Sequence, residues 1–396
     1  MDPSRFLILL LGLPCAAQNW IQMPDFPGTP RDDGSAFVIG TDIYVGTGMD
    51  VSFQVTTDWH RYNTLDNTWS PAATLPSDGR QYCSSFTLNG KGYLFGGVVF
   101  GVPTNELWQF DPGTESWTQR ASAANSLSAS TAVAYDDRGH VLTGNAENSL
   151  PSTIHQVYDP VNDSWSLSVA LPGEPLHRAA SFVHEGMIHV VGGSLAGFSA
   201  VGSNWAFDAS QGDWAVRSDL PAPRFAGDAI GVPDGGLFIG GAVSNALDGP
   251  QADVWHYIAA TDSWETYPAL PAGTRRGGVI AFVPPNQVYY GTGSDNAARY
   301  NDWWKLELPV GLSEMNEPAG FTLGPSPADT HLDLTRTQAG MNAIWSIHDA
   351  QGRLVHSIPA TSSHHRLDTR SWPAGAYVAV LADATQRVAK RFVVIH

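Results

Sequence analysis

"KGYLFGGVVFGVPTNELWQFDPGTESWTQ", residues Lys91 to Gln119, reads as three short strands joined by a variable loop and a tight turn. "KGYLF" is apolar and ends on the pair Gly96-Gly97. "ELWQFD" follows the loop, and a Pro/Gly turn after Asp111 leads into "SWTQ". The preceding "SSFTLNG" (Ser84–Gly90) supplies a fourth strand, and each is near the usual strand length. Four strands cannot bury both faces of their own sheet, so such a unit must stack on copies of itself.

The copies are present. Trp20, Trp69, Trp117, Trp165, Trp214 and Trp264 follow one another at gaps of 48 to 50 residues. A second register holds Trp59, Trp108, Trp205, Trp255 and Trp303, with Gln156 in the missing place. A third is a glycine pair or its relic: Gly46–Gly48, Gly96-Gly97, Thr143–Asn145, Gly192-Gly193, Gly240-Gly241 and Gly291–Gly293. A fourth is the turn Met23-Pro24, Leu75-Pro76, Leu171-Pro172, Leu220-Pro221 and Leu270-Pro271, which the third unit lacks. Radial stacking of units this long is the propeller solution, and the glycines suit crowded inner-strand ends. The pattern predicts an all-β chain with a six-bladed propeller over residues 18–309. The sixth unit has no tryptophan after Trp303-Trp304, whereas Trp20 precedes the first unit. An N-terminal strand is therefore expected to close the last blade and remove its open edge. The third unit, with "TGN" for its glycine pair, is expected to be irregular.

These markers carry a resemblance. The double glycine, the aromatic-x-aromatic-Asp strand (Trp108–Asp111, Trp205–Asp208) and the tryptophan before Leu-Pro resemble the kelch-repeat β-propellers.

Composition bounds the partners. Of 396 residues 43% are hydrophobic and only 15% charged, and the net charge is −17. Such a chain repels phosphates, which argues against nucleic acid or an anionic membrane as a general partner. The charge is uneven: residues 319–396 hold seven of the 21 Lys and Arg but only five of the 38 Asp and Glu. At the N-terminus Arg5 precedes the apolar run Phe6–Leu13 and the small residues Cys15-Ala16-Ala17. That run is too short to span a bilayer and reads as a signal peptide over residues 1–17. Lipidation of Cys15 is the alternative, with Pro14 against it. Cleavage after Ala17 leaves Cys83 as the only cysteine, so no intramolecular disulfide is available.

After a linker at 310–320, alternation in "HLDLT" and "AYVAVL" predicts a small β-sandwich over residues 321–396. Pro325-Ser326-Pro327, Asp349-x-x-Gly352-Arg353, Leu367-Asp368, Ala374-Gly375-x-Tyr377 and the basic strand with Lys390 and Arg391 resemble the sorting domain of type IX secretion cargo of the Bacteroidota. The resemblance implies the type IX secretion machinery as a partner. It also implies an extracellular or outer-surface location, reached through Sec-dependent passage across the periplasm.

Chemistry is harder to find. No nucleophile elbow, Walker loop, His-Glu-x-x-His or Cys-x-x-Cys is present. His364-His365 point to opposite faces of an extended chain and make a weak ligand pair. No metal or cofactor is expected. The better lead is Arg31, Arg80, Arg178, Arg224 and Arg276, each 14 to 16 residues before its unit's glycine pair, with Arg275 as an extra candidate. The kelch resemblance places this register at the mouth of the central pocket. The guanidiniums would repel one another unless an anion or the carboxylates of Asp32, Asp33, Asp78 and Asp228 offset them. Two readings follow: an anion-recognising pocket, or an architectural pairing between blades.

The expected function is a binding module for an anionic glycan or an acidic peptide, acting as a monomer, with long loops at 97–106 and 240–253 as adaptable surface. The alternative is an enzyme. Some kelch propellers are sialic-acid mutarotases or isomerases, for which Glu106, Glu147 or His177 are nominal acid–base candidates. Tyr82-Cys83 brings to mind the copper oxidases of the galactose-oxidase type, but neighbours in sequence cross-link poorly.

Overall fold

The computed structural model describes residues 20–308, 321–324, 328–336, 344–349, 354–360, 362–382 and 387–395. The expected signal peptide, the expected linker, Pro325–Pro327 and Gly352-Arg353 lie outside the described residues. The chain divides into two units, Met1–Pro309 and Val310–His396.

The first unit contains six four-stranded antiparallel sheets. Blades 1 to 5 cover residues 35–72, 84–120, 131–167, 180–217 and 225–267. The sixth joins Val279–Val283, Gln287–Gly291 and Trp303–Glu307 to Trp20–Met23 as its outermost strand. The N-terminal strand thus closes the last blade. The innermost strand of each blade packs on that of the next, and blade 6 on blade 1, so the blades form a closed circle. Blade 3 is not irregular; it is four-stranded like the rest.

The glycine pair explains why. In every blade the second residue of the pair is a glycine with positive φ: Gly48, Gly97, Gly144, Gly193, Gly241 and Gly293. A Cβ on Gly144 would lie 2.8 Å from the Ser128 carbonyl oxygen, and one on Gly48 2.6 Å from that of Asp32. The first position is less demanding, and Thr47, Thr143 and Thr292 stand there in blades 1, 3 and 6. "TGN" keeps the glycine that sterics require.

Between blades the core is apolar and aromatic, as around Phe37, Tyr44, Trp59, Phe110 and Trp117. A cavity of about 460 Å³ runs along the inner strands.

The second unit has a three-stranded sheet (Phe321–Gly324, His331–Arg336, His364–Asp368) and a four-stranded one (Leu354–Pro359, Ile344–Asp349, Gly375–Ala382, Arg387–Val394). Leu332, Leu334 and Leu367 from the first share one core with Trp345, Ile347, Tyr377 and Phe392 from the second. That is a sandwich. His364 is exposed beside Asp333, which already accepts from Nε and Nη2 of Arg366.

Candidate functional site

The structure separates the candidate arginines: Arg31, Arg80 and Arg224 share a register with Arg275, Arg178 stands two positions later in its blade, and Arg276 lies between the two registers. The carbonyls of Arg31, Arg80, Leu127, Leu176, Arg224 and Arg275 each accept from the second glycine of the preceding blade. This register is buried. Arg31 grips Asp58 with both terminal nitrogens (2.8 and 2.9 Å), Arg80 donates to Glu106 (2.7 Å), Arg224 to Asp253 (2.6 Å) and Arg275 to Asp302 (3.0 Å). Aromatic rings lie against three of them: Phe26 on Arg31, Trp255 on Arg224 and Tyr300 on Arg275. The carboxylates respond, since the guanidiniums beside Asp58 and Glu106 help hold both below their ordinary values despite burial, which pushes the other way.

In blades 3 and 4 the arginine is replaced by Leu127 and Leu176. The acid changes with it: the residues aligned with Asp58, Glu106, Asp253 and Asp302 are Ile154 and Ser203. Arginine and acid are present or absent together, as a structural clamp requires.

The second register encircles the axis. Asp33, Tyr82, Ala129, Arg178, Ala226 and Gly277 all have positive φ. Each amide donates to the carbonyl of the preceding member, and Asp33 to Gly277, in a cycle of six hydrogen bonds between 2.7 and 3.2 Å. Three members are Ala or Gly, so the side chains of Asp33, Tyr82 and Arg178 occupy the axial mouth. A small pocket of about 100 Å³ is lined by these and by Cys83, Ser130 and Asp228.

Arg178 lies on the Tyr82 ring, 4.4 Å from its centroid, and reaches Asp33 at only 3.3 Å. Asp33 and the Tyr82 hydroxyl together engage only part of this five-donor group. Beside it Arg276 reaches Asp32 (3.1 Å), Asp33 (3.4 Å) and Asn296 (2.5 Å), and Arg299 donates to Asp32 at 2.6 Å. Burial and the Asp33 charge push the Asp32 carboxyl up, against its arginines. Three guanidiniums therefore face two carboxylates.

Of the anticipated partners, Asp32 and Asp33 do meet arginines. Asp78 offers Arg80 only its carbonyl, and Asp228 is half-buried, with its carboxyl driven well up by desolvation. The sequence pattern points to neither Arg299 nor Asn296, and to Tyr82 only as the neighbour of Cys83. A signal for the split did exist: the clamp arginines have an acid 26 to 29 residues downstream, whereas that stretch after Arg178, residues 204–207, is Asn-Trp-Ala-Phe. The enzyme candidates do not converge. Glu106 is committed to Arg80 and Trp108, and Glu147 meets Ser126 (3.4 Å). His177 is buried beside Arg178, with its imidazole pushed down to about 4 by desolvation and that charge. Burial pushes the Cys83 thiol up to about 12.

The profile of the Attractin/LZTR1 β-propeller family matches residues 43–301. The chain belongs to that family. Residues 323–395 match the secretion-system C-terminal sorting domain, which marks the propeller as type IX cargo, exported to the cell surface or beyond. Among curated proteins the chain resembles Kelch-like protein 35 of Mus musculus, 26% identical over 281 residues, 69% of this chain and 46% of that protein. It also resembles the N-acetylneuraminate epimerase of Pasteurella multocida, 26% identical over 245 residues, 51% of this chain and 63% of that protein. The chain spans about half the length of the kelch-like relatives it matches. The solved structure of YjhT superimposes with a TM-score of 0.63 at 17% identity, over 73% of this chain and 98% of that one, a likeness of fold. Among the described residues no helix is long and apolar enough to cross a membrane.

Proposed function

We propose that the mature chain, cut after Ala17 and exported through the periplasm, is a binding module that takes an anionic group at the axial mouth. Arg178 carries the reading. Its guanidinium lies over Tyr82, Asp33 and the Tyr82 hydroxyl engage only part of its donors, and it lines the axial pocket. A carboxylate there would accept a bidentate pair from Arg178, with Arg276 and Arg299 adding positive potential. Arg31, Arg80 and Arg224 belong to the clamps in this reading, not to the ligand. The ligand classes are a carboxylated glycan and an acidic peptide. Titration calorimetry on the full chain with N-acetylneuraminate, glucuronate and an aspartate-rich peptide tests it. At least one should bind to the native protein and be lost in Arg178→Gln. Binding that survives this substitution, or no binding to any of the three, sinks the proposal.

A second reading is favoured by one observation. The imidazole of His177 stays neutral at neutral pH and adjoins Arg178, which would allow proton transfer on a bound sugar acid. Anomer exchange of N-acetylneuraminate followed by NMR separates the readings, since a module leaves the exchange rate unchanged.

A further inference from the structure

The loops between second and third strands surround the mouth, and their tips carry an oddity. Phe53 (φ 58°), Phe100 (φ 49°) and Phe198 (φ 61°) are left-handed in blades 1, 2 and 4. In blades 3 and 6 the left-handed loop residues are Ser149 and Asn296. A bulky aromatic residue there is a genuine outlier that costs conformational energy, whereas Asn tolerates it. Phe53 and Phe100 are also 71% and 86% exposed, and Phe198 42%, so burial returns little of that cost.

The outliers are held in place. Phe100 tips the hairpin of Val98–Val99 with Val102–Pro103, and Phe198 that of Ser194–Leu195 with Ser199–Ala200. Phe53 lies 4.7 Å over Arg299, and Phe198 packs on His177 and Phe225. Val51, Val102, Leu150 and Leu247 add exposed aliphatic surface on the same set of loops. Strained, exposed apolar side chains about a functional mouth point to a ligand-contacting role.

We propose that Phe53, Phe100 and Phe198 form a docking rim for a polypeptide that presents apolar side chains around one acidic side chain. The acid is the part that rests on the anion reading, because it would meet Arg178 at the centre. The apolar rim stands without it. Phe, Val and Leu have no polar tip to satisfy sugar hydroxyls, so the rim disfavours a glycan. A bilayer is disfavoured by charge. The chain is at −17, and Asp50, Glu147, Asp248 and Asp295 lie on these same loops, where they would meet anionic headgroups. Rigid aromatic anchors round an arginine suit a protein contact.

The test is selection of a phage-displayed library of random twelve-residue peptides on the full chain. The consensus is then synthesised and measured against the triple variant Phe53→Asn, Phe100→Asn, Phe198→Asn. Expected is a consensus with apolar residues flanking Asp or Glu, bound at least about tenfold more weakly by the triple variant, which should melt at the native temperature or above. Replacing the peptide's acid by Ala should abolish its sensitivity to Arg178→Gln while leaving its sensitivity to the Phe variant. Loss of the first effect alone overturns the anion reading and spares the rim. No enriched sequence, or equal affinity for native and triple variant, overturns the rim. So does triple-variant-sensitive binding to phosphatidylcholine–phosphatidylglycerol vesicles with no peptide selected.

Discussion

Arg275 and Arg276 are neighbours in sequence and opposites in role. The first is buried against Asp302 and Tyr300, while the second faces Asp32, Asp33 and Asn296 at the mouth. Removing one partner of a buried pair leaves the other charge stranded, whereas replacing both by a well-packed alternative is often harmless. Blade 4 already contains such an alternative, with Leu176 and Ser203 in the places of Arg275 and Asp302. Arg275→Leu alone should therefore cost about 3–5 kcal/mol of unfolding free energy. The double variant Arg275→Leu, Asp302→Ser should recover more than half of that loss in urea titration. Failure of the second change to rescue the first would show that the pair is not a self-contained clamp. Spacing from the glycine pair could not separate the two arginines. The left-handed residue of the axial cycle lies two positions after the clamp residue, and one backbone reversal changes which side chains face the axis. The acids were legible as a second, matching period; the pairing of Arg178 with Asp33, 145 residues apart, was not.

At the scale of the strand, the tryptophan period has a mechanical meaning. The indole N–H of Trp69 donates to the Pro24 carbonyl, Trp117 to Ala73, Trp165 to Ala121, Trp214 to Val169, Trp264 to Ser218 and Trp20 to Pro268. Each outer strand is stapled to the chain leaving the previous blade, and the staples run full circle. Trp165→Phe keeps an apolar ring but leaves the Ala121 carbonyl without the indole, which should cost about 1–2 kcal/mol. A loss below 0.3 kcal/mol in denaturant titration (about the error of such comparisons) would deny the staple a role. The closing strand is a larger case. Residues Trp20–Met23 pair with Trp303–Leu306 and bring the Trp20 staple, and Pro24 receives that of Trp69. A chain starting at Asp25 should expose the Trp303–Glu307 edge, and so melt many degrees lower and self-associate on a sizing column. This closure was readable because the count of tryptophans was off by one at each end. The αL phenylalanines were not readable, since no residue type announces a positive φ against its own preference.

Across the whole molecule, blade identity is set by which pairs fill equivalent buried places, and blade 3 fills one of them with two histidines. His140 Nδ1 lies 2.9 Å from His155 Nε2, where blade 2 has Tyr93 and Leu107. Desolvation pushes His140 down to about 4, and desolvation with the His140 charge pushes His155 down to about 3. His177 and His189 are likewise pushed down to about 4 by burial. In the unfolded chain these imidazoles take up protons as pH falls through about 6.5. From there down to about 4 the unfolded state binds more protons than the fold, so stability must fall as pH falls. His60 is lowered by burial as well, whereas Asp32, Asp42 and Asp228, raised by burial, act in the opposite sense but are three groups against five. The salt-bridged carboxylates with lowered values, such as Asp58 and Asp234, contribute only below about 4. The unfolding free energy should therefore decline between pH 6.5 and 4.5 while the clamps remain ionised. His140→Tyr with His155→Leu copies blade 2 into blade 3 and removes two of the five lowered imidazoles. Its urea midpoint should change with pH over that window less steeply than the native protein's. A variant with the native slope would mean that the histidine pair is already protonated, or relaxed, in the fold.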